Sequence, residues 1–244
     1  MLHLDVEGTR RTLTIDNPER ANALGPDDFA ALDALLAKVE SDEEATCLVV
    51  RGTGAHFSAG IDLALLAAMA EKATLEGIRA LQRGFLRLAT LEVPVIAAID
   101  GACIGAGLEL ALACDLRLAT AGARFSLPEV RYGVVADLGG LSLAPELLGT
   151  ARALELALLA DTLPADRAFA MGLVTEVVED RVALEARVAE RARVLDALTP
   201  ATLRATKRVL LARRRERIKA ELELAARENL ALLAGRSPQA PTPP

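Results

Sequence analysis

The stretch Pro94–Ala119, "PVIAAIDGACIGAGLELALACDLRLA", decides how this chain is read. Val95–Ile99 is a short apolar run behind a proline and reads as a buried strand. "GACIGAG" is a glycine turn, where backbone can approach a ligand closely. The segment that follows, Leu108–Cys114, has apolar neighbours on every side of Glu109 and reads as a buried helix. Its first turn directs free N–H groups back at the glycine turn. The dinucleotide pattern G-x-G-x-x-G fails, because Leu110 stands where the third glycine belongs. An unpaired buried carboxylate is costly or shifts its pKa, so Glu109 is a candidate reactive group. The competing reading is an acid that complements the helix dipole.

A second unit of the same kind lies upstream. "ATCLVVRGTG", Ala45–Gly54, is a buried strand leaving into glycine, and "GTGAHFSAGIDL" runs on to Leu63. Two strand–turn–helix units can aim two backbone N–H donors at one oxygen, which suits a carbonyl gaining enolate character. Around these units, "RTLTID" alternates as a strand, "NPERANAL" is a turn, and Gly25–Glu44 has helical spacing with an acidic first turn. Ile61–Glu92 reads as helix in two pieces. "DLRLAT" and "ARFSLP" read as short strands. After Gly140 the pattern is helical, interrupted by the strand-like "LVTEVVE", and the Pro-rich tail from Gly235 reads as disordered. The order predicts an α/β core over residues 1–195 and a helical region over 196–244.

Composition narrows the chemistry. At 244 residues the chain suffices for one large domain, and with 52% hydrophobic but 2% aromatic residues its core must be aliphatic. A net charge of -6 predicts no nucleic-acid or anionic-membrane partner. The basic run "RRRERIK", Arg213–Lys219, is the local exception, a solvated helix face or a phosphate contact. No signal-peptide pattern and no long uncharged apolar stretch is present. Cys47, Cys103 and Cys114 sit in apolar runs and read as buried thiols of a reduced, cytoplasmic protein. His3 and His56 supply a triad or a histidine metal site poorly, and His56 reads as a turn residue.

"PEVRYGVVADLGG", Pro128–Gly140, holds two more acids, Glu129 and Asp137, in a mostly apolar segment. Asp137 has two readings: an N-cap of the helix "LGGLSLAPELL", or a buried reactive group. Glu129 has the alternative of a salt-bridged loop acid.

Taken in order, "NPERANAL", "LVVRGTGAHFSAGIDL", "PVIAAIDGACIGAGLELALACDLRLA", "ARFSLPEVRYGVVADLGG" and "ADRAFAMGLVTEVV" resemble the motifs of the crotonase family, the enoyl-CoA hydratase/isomerase superfamily. The resemblance runs from about Thr12 to about Leu211. It implies a spiral of strand–strand–helix turns, C-terminal helices used in a homotrimer or dimer of trimers, and a substrate carried as a coenzyme A thioester. No metal or redox cofactor is implied. The family's oxyanion donors correspond to the backbone N–H of Ile61 and of Ala106. Ala59, Gly60, Asp62 and Leu63 would lie near the adenine side of coenzyme A, with Arg20 and Ala21 near its phosphates.

The resemblance also places the acids. Hydratases hold one water between two glutamates that match Glu109 and Glu129. Such an enzyme adds water across a trans-2-enoyl-CoA, with Glu129 handling the C2 proton, and this is the first expectation. Hydratases usually carry proline where Ala136 stands; the dienoyl-CoA isomerase branch has a similar "AAD" turn. There Asp137 would shuttle protons with Glu129 between C2 and a remote carbon, the alternative expectation. A non-catalytic acyl-CoA-binding relative is the third.

Overall fold

The computed structural model describes residues 1–62 and 73–235. Two sheets share nine strands among the described residues. The larger has the order β1 (Leu2–Glu7), β2 (Arg10–Ile15), β3 (Cys47–Gly52), β4 (Val95–Ile99), β6 (Leu116–Thr120) and β9 (Glu176–Val178). The smaller has β5 (Ala102–Ile104), β7 (Arg124–Ser126) and β8 (Leu163–Pro164). From β4 to β7 successive strands alternate between the sheets, which winds the chain into a spiral. Only β1–β2 is antiparallel in the larger sheet. Its central strands are buried on both faces, as parallel strands covered by helices must be.

Helices α1 (Pro26–Ser41) and α2 (Leu75–Ala89) pack on one face, with Phe29 stacked on Phe85 at 5.9 Å between ring centres. Helices α3 (Ala106–Leu112), α4 (Gly140–Leu148), α5 (Thr150–Leu159) and α6 (Ala165–Met171) follow the smaller sheet. On the other face of the larger sheet, Leu184, Val188 and Ala192 of α7 (Arg181–Asp196) cover Cys47, Val49, Ile96 and Leu118. The chain continues in α8 (Pro200–Leu210) and α9 (Arg214–Ala234), and α9 returns to pack on α2 and α4.

The N-terminal segment departs from expectation. It forms β1 ahead of the predicted "RTLTID" strand, as an exposed edge hairpin. The basic run is in part the expected solvated face, with Arg213, Arg215 and Lys219 exposed, while two of its arginines face inward. Arg214 and Arg217 both pair with Glu146 of α4 and donate to the Ala89 and Ser142 carbonyls, clamping α9 to the body. All three cysteines are buried free thiols. The first predicted piece of the Ile61–Glu92 helix and the Pro-rich tail after Gly235 lie outside the described residues. No described helix is long and apolar enough to cross a membrane.

Candidate active site

Parallel strands deliver their following turns to one edge, where ligands collect in α/β folds. Here the turns after β3 and β4 are stitched together. Phe57 donates its N–H to the Asp100 carbonyl at 2.7 Å, Ser58 to Ala102 at 2.9 Å, and Ile104 returns one to Ser58 at 3.0 Å. A third segment joins on the other side, through Ala59 to Ala21 at 2.9 Å and Leu24 to Gly60 at 2.7 Å. Gly60 is in a left-handed conformation at φ +90°. A Cβ there would lie 2.6 Å from the Ile104 oxygen and 3.2 Å from the Ala106 nitrogen, so only glycine lets the turns meet this closely. Gly60, the residue before Ile61, is thereby held against the Ala106 nitrogen.

Buried polar groups fix this arrangement. Asn22, fully buried at φ +58°, donates to the Thr53 and His56 carbonyls at 2.8 and 2.7 Å. Ser58 donates to the Asn22 carbonyl at 2.8 Å and accepts the Gly60 N–H at 3.1 Å. His56 is a turn residue, as predicted, whose Nδ1 accepts the Ala102 N–H at 3.1 Å. Sequence reasoning missed Asn22 and Ser58; a polar residue inside "ANAL" was the available signal. Arg20 forms an ion pair with buried Asp62 at 2.5 Å at the mouth of these turns. Leu63, expected nearby, lies outside the described residues.

Three carboxylates converge behind Ala106. Glu109 lies on α3, 1% exposed, and its Oε1 accepts the backbone N–H of Leu138 at 3.0 Å and of Gly140 at 2.8 Å. Burial first, then the charges of Glu129 and Asp137, push its pKa well above the usual carboxylate range. Glu129 opens a 3-10 turn, Glu129–Tyr132, and buries its Oε2 with no hydrogen-bond partner. Its Oε1 lies 2.9 Å from where a Cβ on Gly105 would be, and Gly105 has φ +53°. Burial, with a smaller contribution from Asp137, pushes Glu129 up to about 7. Asp137 is pushed by burial up to about 6, against the Asn229 side chain and its own backbone N–H.

The N-cap reading of Asp137 does not hold. The N-cap of α4 is Gly139 at φ +116°, and the N–H of its first residue, Gly140, goes to Glu109 and not to Asp137. Asp137 instead sits in the turn that wraps Glu109. Nor is Glu129 a salt-bridged loop acid among the described residues.

A family model described as enoyl-CoA hydratase/isomerase matches residues 8–233. The chain is similar to the peroxisomal Delta(3,5)-Delta(2,4)-dienoyl-CoA isomerase of Arabidopsis thaliana, 33% identical over 233 residues, which is 91% of this chain and 84% of that one. An enoyl-CoA hydratase from Bacillus halodurans superposes with a TM-score of 0.90 at 25% identity, covering 95% of this chain and 94% of that chain. A protein of Thermobifida fusca YX, solved in complex with acetoacetyl-CoA, superposes with a TM-score of 0.78 at 33% identity, covering 92% and 93%.

Proposed function

The chain belongs to the enoyl-CoA hydratase/isomerase family, an acyl-CoA-processing enzyme of the crotonase superfamily, and from that premise we propose that it shifts a double bond along an unsaturated acyl-CoA by proton transfer through Glu129 and Asp137. The observation that carries the choice is the third acid. Hydration needs two carboxylates, whereas this site gathers three, Glu109 buried and Glu129 and Asp137 half-buried, and Asp137 caps no helix. A buried carboxylate is costly to keep without a task.

In this reading the thioester oxygen accepts the N–H of Ile61 and of Ala106, an oxyanion hole completed by the start of α3. Glu129 removes a C2 proton, and the electron pair moves into a conjugated enolate. Asp137, protonated, delivers a proton at the remote carbon as the enolate collapses. The two acids then stand with their protons exchanged. With pKa values of about 7 and about 6, the exchanged state, Glu129 protonated and Asp137 ionised, lies about 1.4 kcal/mol below the starting one, so return of the proton is a small uphill step in a reversible shuttle. Ala59, Gly60, Asp62 and Arg20 would seat coenzyme A. No metal or redox group is needed.

Hydration at the same site is the second reading. It is favoured by the Glu129 Oε2, buried without a partner close to Glu109, where a reacting water would supply the missing hydrogen bond. A panel of acyl-CoA substrates read by absorbance separates the two. The shuttle predicts turnover of a 3,5-dienoyl-CoA, lost in both Glu129→Gln and Asp137→Asn. Loss of crotonyl-CoA conjugation that survives Asp137→Asn, with no dienoyl turnover, favours hydration instead. Tight acyl-CoA binding without turnover anywhere would leave a binding role.

A trimer is part of the proposal. It is supported by exposed apolar side chains on the C-terminal helices, Val209 and Leu210 on α8 and Leu224 on α9, and the solution mass tests it. The buried free thiols support a reducing, cytoplasmic setting.

A further inference from the structure

Two buried amides from separate helices hold the loop that carries Asp137. Gln82, on α2, donates its Nε2 to the Asp137 carbonyl at 2.8 Å and to the Leu222 carbonyl of α9 at 3.0 Å. Asn229, on α9, accepts the Val135 N–H on Oδ1 at 2.8 Å and donates Nδ2 to the Val135 carbonyl at 3.0 Å. Each is 5% exposed and lies on an apolar helix face, Gln82 with Ile78 and Phe85, Asn229 with Ile218, Leu222 and Ala226. An apolar side chain at either place would suit those faces better; a buried amide there is tolerated only when its hydrogen bonds are made. Here three of the four go to the backbone of Val135–Asp137.

We propose that Asn229 and Gln82 are positioning residues for Asp137, so that α9 completes the active site from within the same protomer. The inference rests on the shuttle reading of Asp137. The carboxylates facing Asp137 are Glu109 on α3 and Glu129 on the 3-10 turn, while the groups α2 and α9 present to its loop are these neutral amides. The Asn229 amide also favours the charged form of Asp137 in that surrounding.

The test uses the full-length enzyme and a 3,5-dienoyl-CoA. Asn229→Leu and Gln82→Met should each lower kcat about 10- to 100-fold with little change in KM, the usual scale for a misplaced reacting group. Exchange of the substrate's C2 proton with D2O, which needs only Glu129, should persist. In Asn229→Leu the pH limb due to Asp137 should move upward, and adding the change to Asp137→Asn should cost nothing further. Should Asn229→Leu fail to fold, Asn229→Ala removes the amide with no added bulk or charge and should show the same loss and shift. Folded variants that isomerise at the normal rate, with an unmoved limb, while Asp137→Asn is dead would overturn the inference alone. Normal isomerisation by Asp137→Asn removes the shuttle reading and this inference with it.

Discussion

The carboxylate of Glu109 accepts the backbone N–H of Gly140 at 2.8 Å, so an acid on α3 is fixed by the first residue of α4. The Leu138 N–H binds the same oxygen at 3.0 Å. The turn that follows Asp137 is therefore folded around Glu109, and the two acids cannot be displaced independently.

That contact leaves no room for a side chain. A Cβ on Gly140 would lie 2.8 Å from the Glu109 Cγ and 2.9 Å from its Oε1. Gly140→Ala should push Glu109 out of register and lower turnover about 10- to 100-fold. The protein should stay folded, because alanine suits the first turn of a helix. Steady-state kinetics beside a thermal melt check this; unchanged turnover would show that Glu109 has slack in the site.

The raised acids make stability depend on pH in a defined direction. Glu129 has its pKa raised from an ordinary 4.5 to about 7, and Asp137 from 3.8 to about 6. The native state thus holds these protons more tightly than the unfolded chain. Their contribution is fully present below about pH 4 and is lost as pH rises through 6 to 7. Glu129→Gln removes one ionisation that opposes folding. It should raise the melting temperature by a few degrees (roughly, for a chain this size) at pH 8 and by nothing comparable at pH 4. An equal shift at both pH values would mean that glutamine acts through packing and not through charge.

Glu109 was legible because a single acid inside a helix apolar all round must be buried. The strand–turn–helix units were legible for a similar reason, since apolar runs and glycines mark them locally. Asp137 was not settled by sequence: "ADLGG" fits a capped helix start as well as a buried acid, and the left-handed Gly139 decides between them. The β1 strand was legible in the strict alternation of "LHLDVE"; its mostly exposed residues make it an edge strand. Gln82 and Asn229 could have been noticed as polar breaks in apolar stripes. Their partners, backbone atoms of a loop more than fifty residues away, are encoded in no local pattern.

Arg20 separates binding from chemistry. Its guanidinium is more than half exposed and pairs with Asp62 beside the turns proposed to seat coenzyme A. Asp62 is buried, so removing its cation costs some stability. Arg20→Ala should therefore lower the melting temperature by a few degrees (roughly, for a chain this size) and raise KM for acyl-CoA several-fold, with kcat per folded molecule kept. The wild-type KM should rise with ionic strength more steeply than the variant's. Parallel salt dependences would take Arg20 away from the phosphates.

Lys207 provides the opposite case, a residue that matters for folding and not for catalysis. Its Nζ, on α8, donates to the Val93 carbonyl at 2.8 Å and to Asp115 Oδ2 at 2.5 Å. The same Asp115 oxygen accepts the Val95 N–H at 2.7 Å. One ion pair thus joins the C-terminal helices to the entry of β4, the end of that strand away from the reactive turns. Lys207→Met keeps much of the aliphatic stem but takes the cation from Asp115 Oδ2, which still accepts the Val95 N–H. Removing one member of a buried pair costs about 3–5 kcal/mol. Asp115 retains some exposure, so the loss should fall near about 3 kcal/mol. Urea unfolding measures that loss, and kcat per folded molecule should match the wild type. A stable Lys207→Met, or one that is folded yet inactive, would break the separation between the fold's C-terminal anchor and its reactive edge.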